Sequence, residues 1–118
     1  MDYQQFFWYD PHHTREQEAI YPPIETKYFE ESLDAYGSLL EHGKIVLESL
    51  SSSKEKMSSL MDAAQEGKDE EVDKIIKSTG VPTIVNTSYT PTGVTFTLYA
   101  DAETVTNCCT LTMYLRWG

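Results

Sequence analysis

Cys108-Cys109-Thr110-Leu111-Thr112-Met113-Tyr114-Leu115-Arg116-Trp117 alternates between apolar and polar side chains with a period of two. Side chains of a strand point alternately to its two faces. Cys109, Leu111, Met113, Leu115 and Trp117 therefore share one face, and Cys108, Thr110, Thr112, Tyr114 and Arg116 share the other. The pattern predicts a half-buried strand with one cysteine in the core and its neighbour exposed. These are the only two cysteines in the chain. Adjacent cysteines bond each other only by distorting the peptide between them, so the plain expectation is a core Cys109 beside an incidental, outward Cys108. A cross-link to another chain through Cys108 is the functional alternative. A metal or redox site is disfavoured because the pair lacks C-x-x-C spacing.

Upstream, Val94, Phe96 and Leu98 alternate with Thr95, Thr97 and Tyr99, and Thr83 to Tyr89 form another strand-like run. Thr90-Pro91-Thr92-Gly93 between them has proline at the second turn position and glycine at the fourth, as a type I turn favours. Asp101 to Asn107 make a polar loop. Residues 83–117 thus predict a three-stranded antiparallel meander with one apolar face turned to helices. The other face carries Thr95, Thr97, Thr110 and Thr112 with Tyr99, Tyr114 and Arg116. It reads either as an ordinary solvated face or as a surface for another copy of the chain.

Residues 26–79 read as helical. Phe29, Leu33, Tyr36, Leu40, Gly43, Leu47, Leu50, Lys54, Met57, Met61 and Ala64 follow alternating spacings of four and three, with acids every seventh residue on the outer side. An unbroken helix of ~38 residues would reach ~57 Å, too long for a compact domain of this size. Ser52 and Glu55 also form an S-x-x-E capping box. A break or sharp bend is therefore predicted near Ser51–Ser53. Gly67 stops the next helix. Asp69, Glu70 and Glu71 open another, whose inner stripe is Val72, Ile75 and Ile76 and which ends at Gly80.

Residues 1–25 fit neither period. Tyr3, Phe6, Phe7, Trp8 and Tyr9 cluster there, and Pro11, Pro22 and Pro23 disfavour a helix. They read as an extended aromatic arm, docked on its own domain or on a partner, ahead of a single domain over 26–118. His12 and His13 lie in this arm with Asp10 and Glu16 nearby, but adjacent residues of an extended segment point apart and suit one ion badly.

Nine basic against nineteen acidic residues give a net charge of −10. Such a chain repels nucleic acid and anionic lipid, and no local basic patch offsets the total. No apolar run approaches the roughly 20 residues of a membrane span. The start, Met1-Asp2-Tyr3-Gln4-Gln5, lacks the basic flank and apolar core of a secretory signal. The expectation is a cytoplasmic protein, neither secreted nor membrane-spanning. No phosphate-binding glycine loop, H-E-x-x-H or nucleophile elbow is present, so the chain reads as a non-enzyme without cofactor or metal.

Leu60-Met61-Asp62-Ala63-Ala64-Gln65, Gly67, Val72 to Gly80, Tyr89 to Val94 and Cys108-Cys109-Thr110-Leu111 together resemble small sporulation- and spore-coat-associated proteins of endospore-forming bacilli. The resemblance covers roughly residues 25 to 118 and rests on structural motifs, so it transfers no catalytic residue. It implies a non-enzymatic protein deposited in the spore, in layers where tyrosines and cysteines become cross-linked.

The fold class expected is α+β, two or three helices on a C-terminal three-stranded antiparallel meander. The function expected is a structural or adaptor protein in an assembly, with a protein partner or self-association, a homo-oligomer included. Cys108, Phe6, Phe7, Trp8, Tyr9, Tyr99, Tyr114 and Arg116 are the candidate contacts. The alternative is a small acidic inhibitor or immunity-type protein that binds a basic partner surface.

Overall fold

The computed structural model describes residues 23–118. The arm contacts expected at Phe6, Phe7, Trp8 and Tyr9 lie outside the described residues. Three helices, α1 Lys27–Ser51, α2 Lys54–Gln65 and α3 Asp69–Lys77, precede three strands, β1 Val85–Thr90, β2 Gly93–Ala100 and β3 Cys109–Arg116. The strands form one antiparallel sheet in the order β1-β2-β3. The α+β class with a C-terminal meander is the one the alternation predicts.

The break after α1 falls at the three serines. Ser51 ends α1, and Ser53 caps α2 by accepting the Lys56 N–H at 3.0 Å. The cap is thus one residue later than the S-x-x-E motif suggests. The end of α2 is a paired C-terminal motif: Lys68 N–H donates to the Ala63 carbonyl and Gly67 N–H to that of Ala64. Gly67 has φ of 69°, a left-handed conformation that glycine adopts without a Cβ penalty. The acids Asp69, Glu70 and Glu71 lie in the first turn of α3, and Lys74 and Lys77 in its last. Both placements complement the helix dipole.

One face of the sheet carries the core. Phe96 and Leu98 of the central strand are fully buried, with Val94 and Cys109 beside them. Leu39 and Val46 of α1, Leu60, Ala63 and Ala64 of α2, and Val72 and Ile76 of α3 complete the cluster. Each large buried side chain stabilises the fold by about 1.5–3 kcal/mol relative to exposure. α1 lies along β3 and β2, α3 against β1, and α2 joins the two helices.

The heptad stripe read in α1 differs from the stripe that is buried. Leu39, Gly43 and Val46 are buried, whereas Phe29, Leu33, Leu40 and Leu47 are exposed by 66, 57, 54 and 36%. The apolar surface of α1 is wider than one stripe, and the seating of Gly43 selects the half that meets the sheet. A Cβ there would lie 2.8 Å from Leu111 Cδ2 and 3.2 Å from Met113 Sδ. Only glycine lets helix and strand approach this closely, and Leu39 and Val46 flank it.

Candidate interaction surface

Cys108 immediately precedes β3, and Cys109 opens it. Asn107, one residue earlier, has φ of 54°, and its N–H donates to Asp101 Oδ1 at 2.7 Å, closing the loop after β2. The strict alternation of a strand therefore does not yet hold at Cys108, and the two side chains need not point apart. The structure joins them in a disulfide, with Cα atoms 3.7 Å apart. This corrects the expectation of an unbonded pair with an outward thiol at Cys108. Cys109 is buried as expected, while Cys108 is half-buried and packs on the core. Cys109 Sγ also lies 3.4 Å from the Ser32 carbonyl oxygen, a contact across which a thiol donates and a disulfide sulfur does not.

Beyond the cysteines, β3 alternates as its sequence dictates. Thr110, Thr112, Tyr114 and Arg116 are exposed on the side away from the helices. The register sets Thr95 opposite Tyr114, Thr97 opposite Thr112 and Tyr99 opposite Thr110, giving a polar platform of threonines and tyrosines. Tyr99 and Tyr114 are exposed by 48 and 60%. Tyr114 is also part of the sheet's own packing. Its ring covers Gly93, where an added Cβ would meet the Tyr114 hydroxyl oxygen at 2.5 Å. Arg116 donates through Nη2 to the Gly118 carbonyl at 3.0 Å, which curls the last residues back. The Trp117 indole N–H donates to the Thr90 carbonyl at 3.0 Å, tying the chain end to the β1–β2 turn.

A second surface was not singled out by sequence as a contact region. Phe29, Leu33, Leu40 and Leu47 run along one flank of α1, and Met57, Met61 and Leu115 continue the exposed apolar band. Where α1, α2 and β3 converge, a groove of about 220 Å³ is lined by Leu47, Leu50, Met57, Leu60, Leu115 and Trp117 among others. The heptad spacing of Leu33, Leu40 and Leu47 was legible. Its exposure was not, because spacing alone does not say which part of a broad apolar helix face the sheet will cover.

Polar ties fix α1 along its first two thirds. The Tyr36 hydroxyl donates to the Thr110 carbonyl at 2.9 Å. The Thr104 hydroxyl and backbone N–H both donate to Glu31 Oε1, at 2.7 and 2.9 Å. These two bonds, the side-chain one foremost, hold the Glu31 carboxyl below its ordinary value of 4.5. At the other edge of the sheet the Tyr89 hydroxyl donates to Asp69, and that bond raises the phenol above its ordinary 10.0. His42 Nδ1 lies 3.1 Å from Thr83 Oγ1. It is thereby a tie to the segment before β1. No described helix is long and apolar enough to cross a membrane.

The family model described as "YuzC spore coat inner layer protein" matches residues 26–110, which is all three helices, β1, β2 and the start of β3. No curated protein and no solved structure matches the chain.

Proposed function

The chain belongs to the family of YuzC spore coat inner layer proteins, and from that premise we propose that it is a structural or adaptor protein of the coat, acting by contact with other proteins rather than by turnover. The resemblance to spore-coat-associated proteins read from residues 60–111 agrees with this membership. The observation that carries the proposal is the face of the sheet that no described helix covers. A three-stranded sheet covered by helices on one side presents Tyr99, Tyr114, Arg116 and four threonines on the other. Exposed tyrosine and arginine on a rigid strand framework are the residue types enriched where proteins meet.

Cys108 offers a covalent route to the same end. A thiolate of another chain attacks Cys108 Sγ, the more accessible sulfur, and forms a mixed disulfide. The Cys108–Cys109 bond breaks, and Cys109 leaves as a thiolate that takes a proton and can then donate to the Ser32 carbonyl. Electrons balance without an added oxidant. Cys108→Ser should abolish the disulfide-linked species that full-length protein forms with a thiol-bearing partner on non-reducing gels. Persistence of those species in the variant would remove Cys108 from the proposal.

The proposal as a whole is tested by antibody labelling of the untagged chain in thin sections of spores and mother cells. Label confined to the inner coat is expected. Label spread through the mother cell or the spore core would overturn a coat role.

A further inference from the structure

Two features of this fold lie side by side, and no described strand or helix pairs with either, the Tyr36 bond to the Thr110 carbonyl aside. The first is the outer edge of β3. Its eight pairs with β2 run without a bulge from Cys109 to Arg116, and no described strand lies beyond it. It contains no proline and no lysine, and its one charge is Arg116 at the end. Natural edge strands that must stay single are usually blunted by such devices. The second feature is the exposed apolar flank of α1.

The flank overhangs that same edge. His42 reaches Thr83, which precedes β1, so that side of α1 faces the β1 half of the sheet. Leu40 is two residues away, about 160° round the helix, and therefore faces the opposite way, past β3. Tyr36 supports the assignment because its hydroxyl donates to the backbone of β3 at Thr110. Its oxygen acceptor keeps a second lone pair for a strand.

Each feature is self-complementary under a two-fold rotation. Pairing β3 antiparallel with a second β3 about Thr112 sets Thr112 against Thr112 and Thr110 against Tyr114 on the open face. On the inner face the same register sets Leu111 against Met113 and Cys109 against Leu115. No two like charges meet. On α1, antiparallel pairing about Leu40 sets Leu40 against Leu40 and Leu33 against Leu47. The two centres lie within one helical turn of each other: Gly43, three residues or about 4.5 Å from Leu40 along the helix, sits over Leu111 and Met113, the residues either side of Thr112. The spacing agrees as well. Strands ~4.8 Å apart, with each α1 seated between β3 and β2, place the two helices about 10 Å apart, a normal packing distance.

We infer that this face binds a second copy of the chain, forming a two-fold dimer with a continuous six-stranded sheet and an antiparallel α1 pair above it. The exposed parts of Phe29, Leu33, Leu40, Leu47 and Leu115 amount to on the order of 400 Å² of apolar surface per protomer, taking side chains of about 150–200 Å². That is half of the ~800 Å² per partner of a standard interface, and strand pairing along the β3 edge adds to it. The dimer deepens the assembly reading and rests on it for its role. A monomer would sink the dimer and leave coat membership intact, whereas a chain absent from the coat would do the reverse.

Sedimentation velocity of the full chain at tens of micromolar, with reductant present, tests the inference. The sedimenting mass is expected to be twice the 13.5 kDa of one chain. Leu40→Asp and Thr112→Lys each place two like charges across the axis, and each should return the mass to one chain with an unchanged circular dichroism spectrum. Both positions are exposed, so the fold tolerates the changes. A photo-cross-linking side chain at position 40 should join two chains through α1. A monomeric full chain, a dimer indifferent to both substitutions, or a cross-link from position 40 to residues 1–22 of the same chain would each overturn the inference.

Discussion

A methyl group added at Gly43 would press on Leu111 and Met113, while one added at Gly37 would meet nothing within 4 Å. The same substitution in one helix should therefore have opposite signs. Gly37→Ala should stabilise the fold by about 0.5–1 kcal/mol through helix propensity and a less mobile unfolded chain. Gly43→Ala gains the same propensity, but it overpacks the α1–β3 contact at a cost of about 1–3 kcal/mol. Urea denaturation of both variants checks this. A stabilised Gly43→Ala would mean that α1 does not sit on β3 as closely as described. The cysteine pair shows the limit of pattern at this scale: alternation correctly buries Cys109, but it was extended one residue too far, to Cys108, where the loop and not the strand sets the direction of the side chain.

Among the elements, α2 depends on a good N-cap because it is only 12 residues long and short helices are marginal alone. Ser53→Ala removes the acceptor for the Lys56 N–H and should cost about 1 kcal/mol, read as a lower urea midpoint with unchanged slope. The joint between α1 and the β2–β3 loop contains one pH-dependent tie, from Thr104 to Glu31. Because Thr104 holds the Glu31 carboxyl below its ordinary 4.5, the contribution of Glu31 is present above that value and is lost as pH falls through the depressed one. Glu31→Gln should lower the melting temperature at neutral pH, and the gap from the wild type should close in acid. A gap that widens in acid would contradict the bond. The strands, the break at the serines and the glycine turn after α2 were legible because local rules decide them: period two, capping and left-handed φ. The buried stripe of α1 was not legible, because Leu33, Leu40 and Leu47 satisfy helical periodicity as well as Leu39 and Val46 do. The choice between them is made by Gly43 and two side chains about 70 residues later in the chain.

For the whole molecule, a net charge of −10 opposes self-association, so the surfaces that hold copies together must be the uncharged ones. The open sheet face and the β3 edge, with Arg116 as their one charge among the residues named, and the apolar α1 flank come nearest to that requirement. Salt screens the repulsion, and dimerisation should strengthen as ionic strength rises. Binding of this acidic chain to a basic partner would weaken instead, so a salt titration followed by sedimentation separates the two behaviours. The coat family supplies the setting, and the fold supplies a sheet that a second copy extends from three strands to six.

On this reading the chain enters the coat through these weakly charged surfaces. The most direct measurement is the amount of chain recovered in coat extracts of purified spores from two strains, one producing the natural sequence and one carrying Leu40→Asp with Thr112→Lys. Abundant protein is expected in the first extract and a large loss from the second, with both proteins made in equal amounts during sporulation. Equal recovery from the two coats would contradict it.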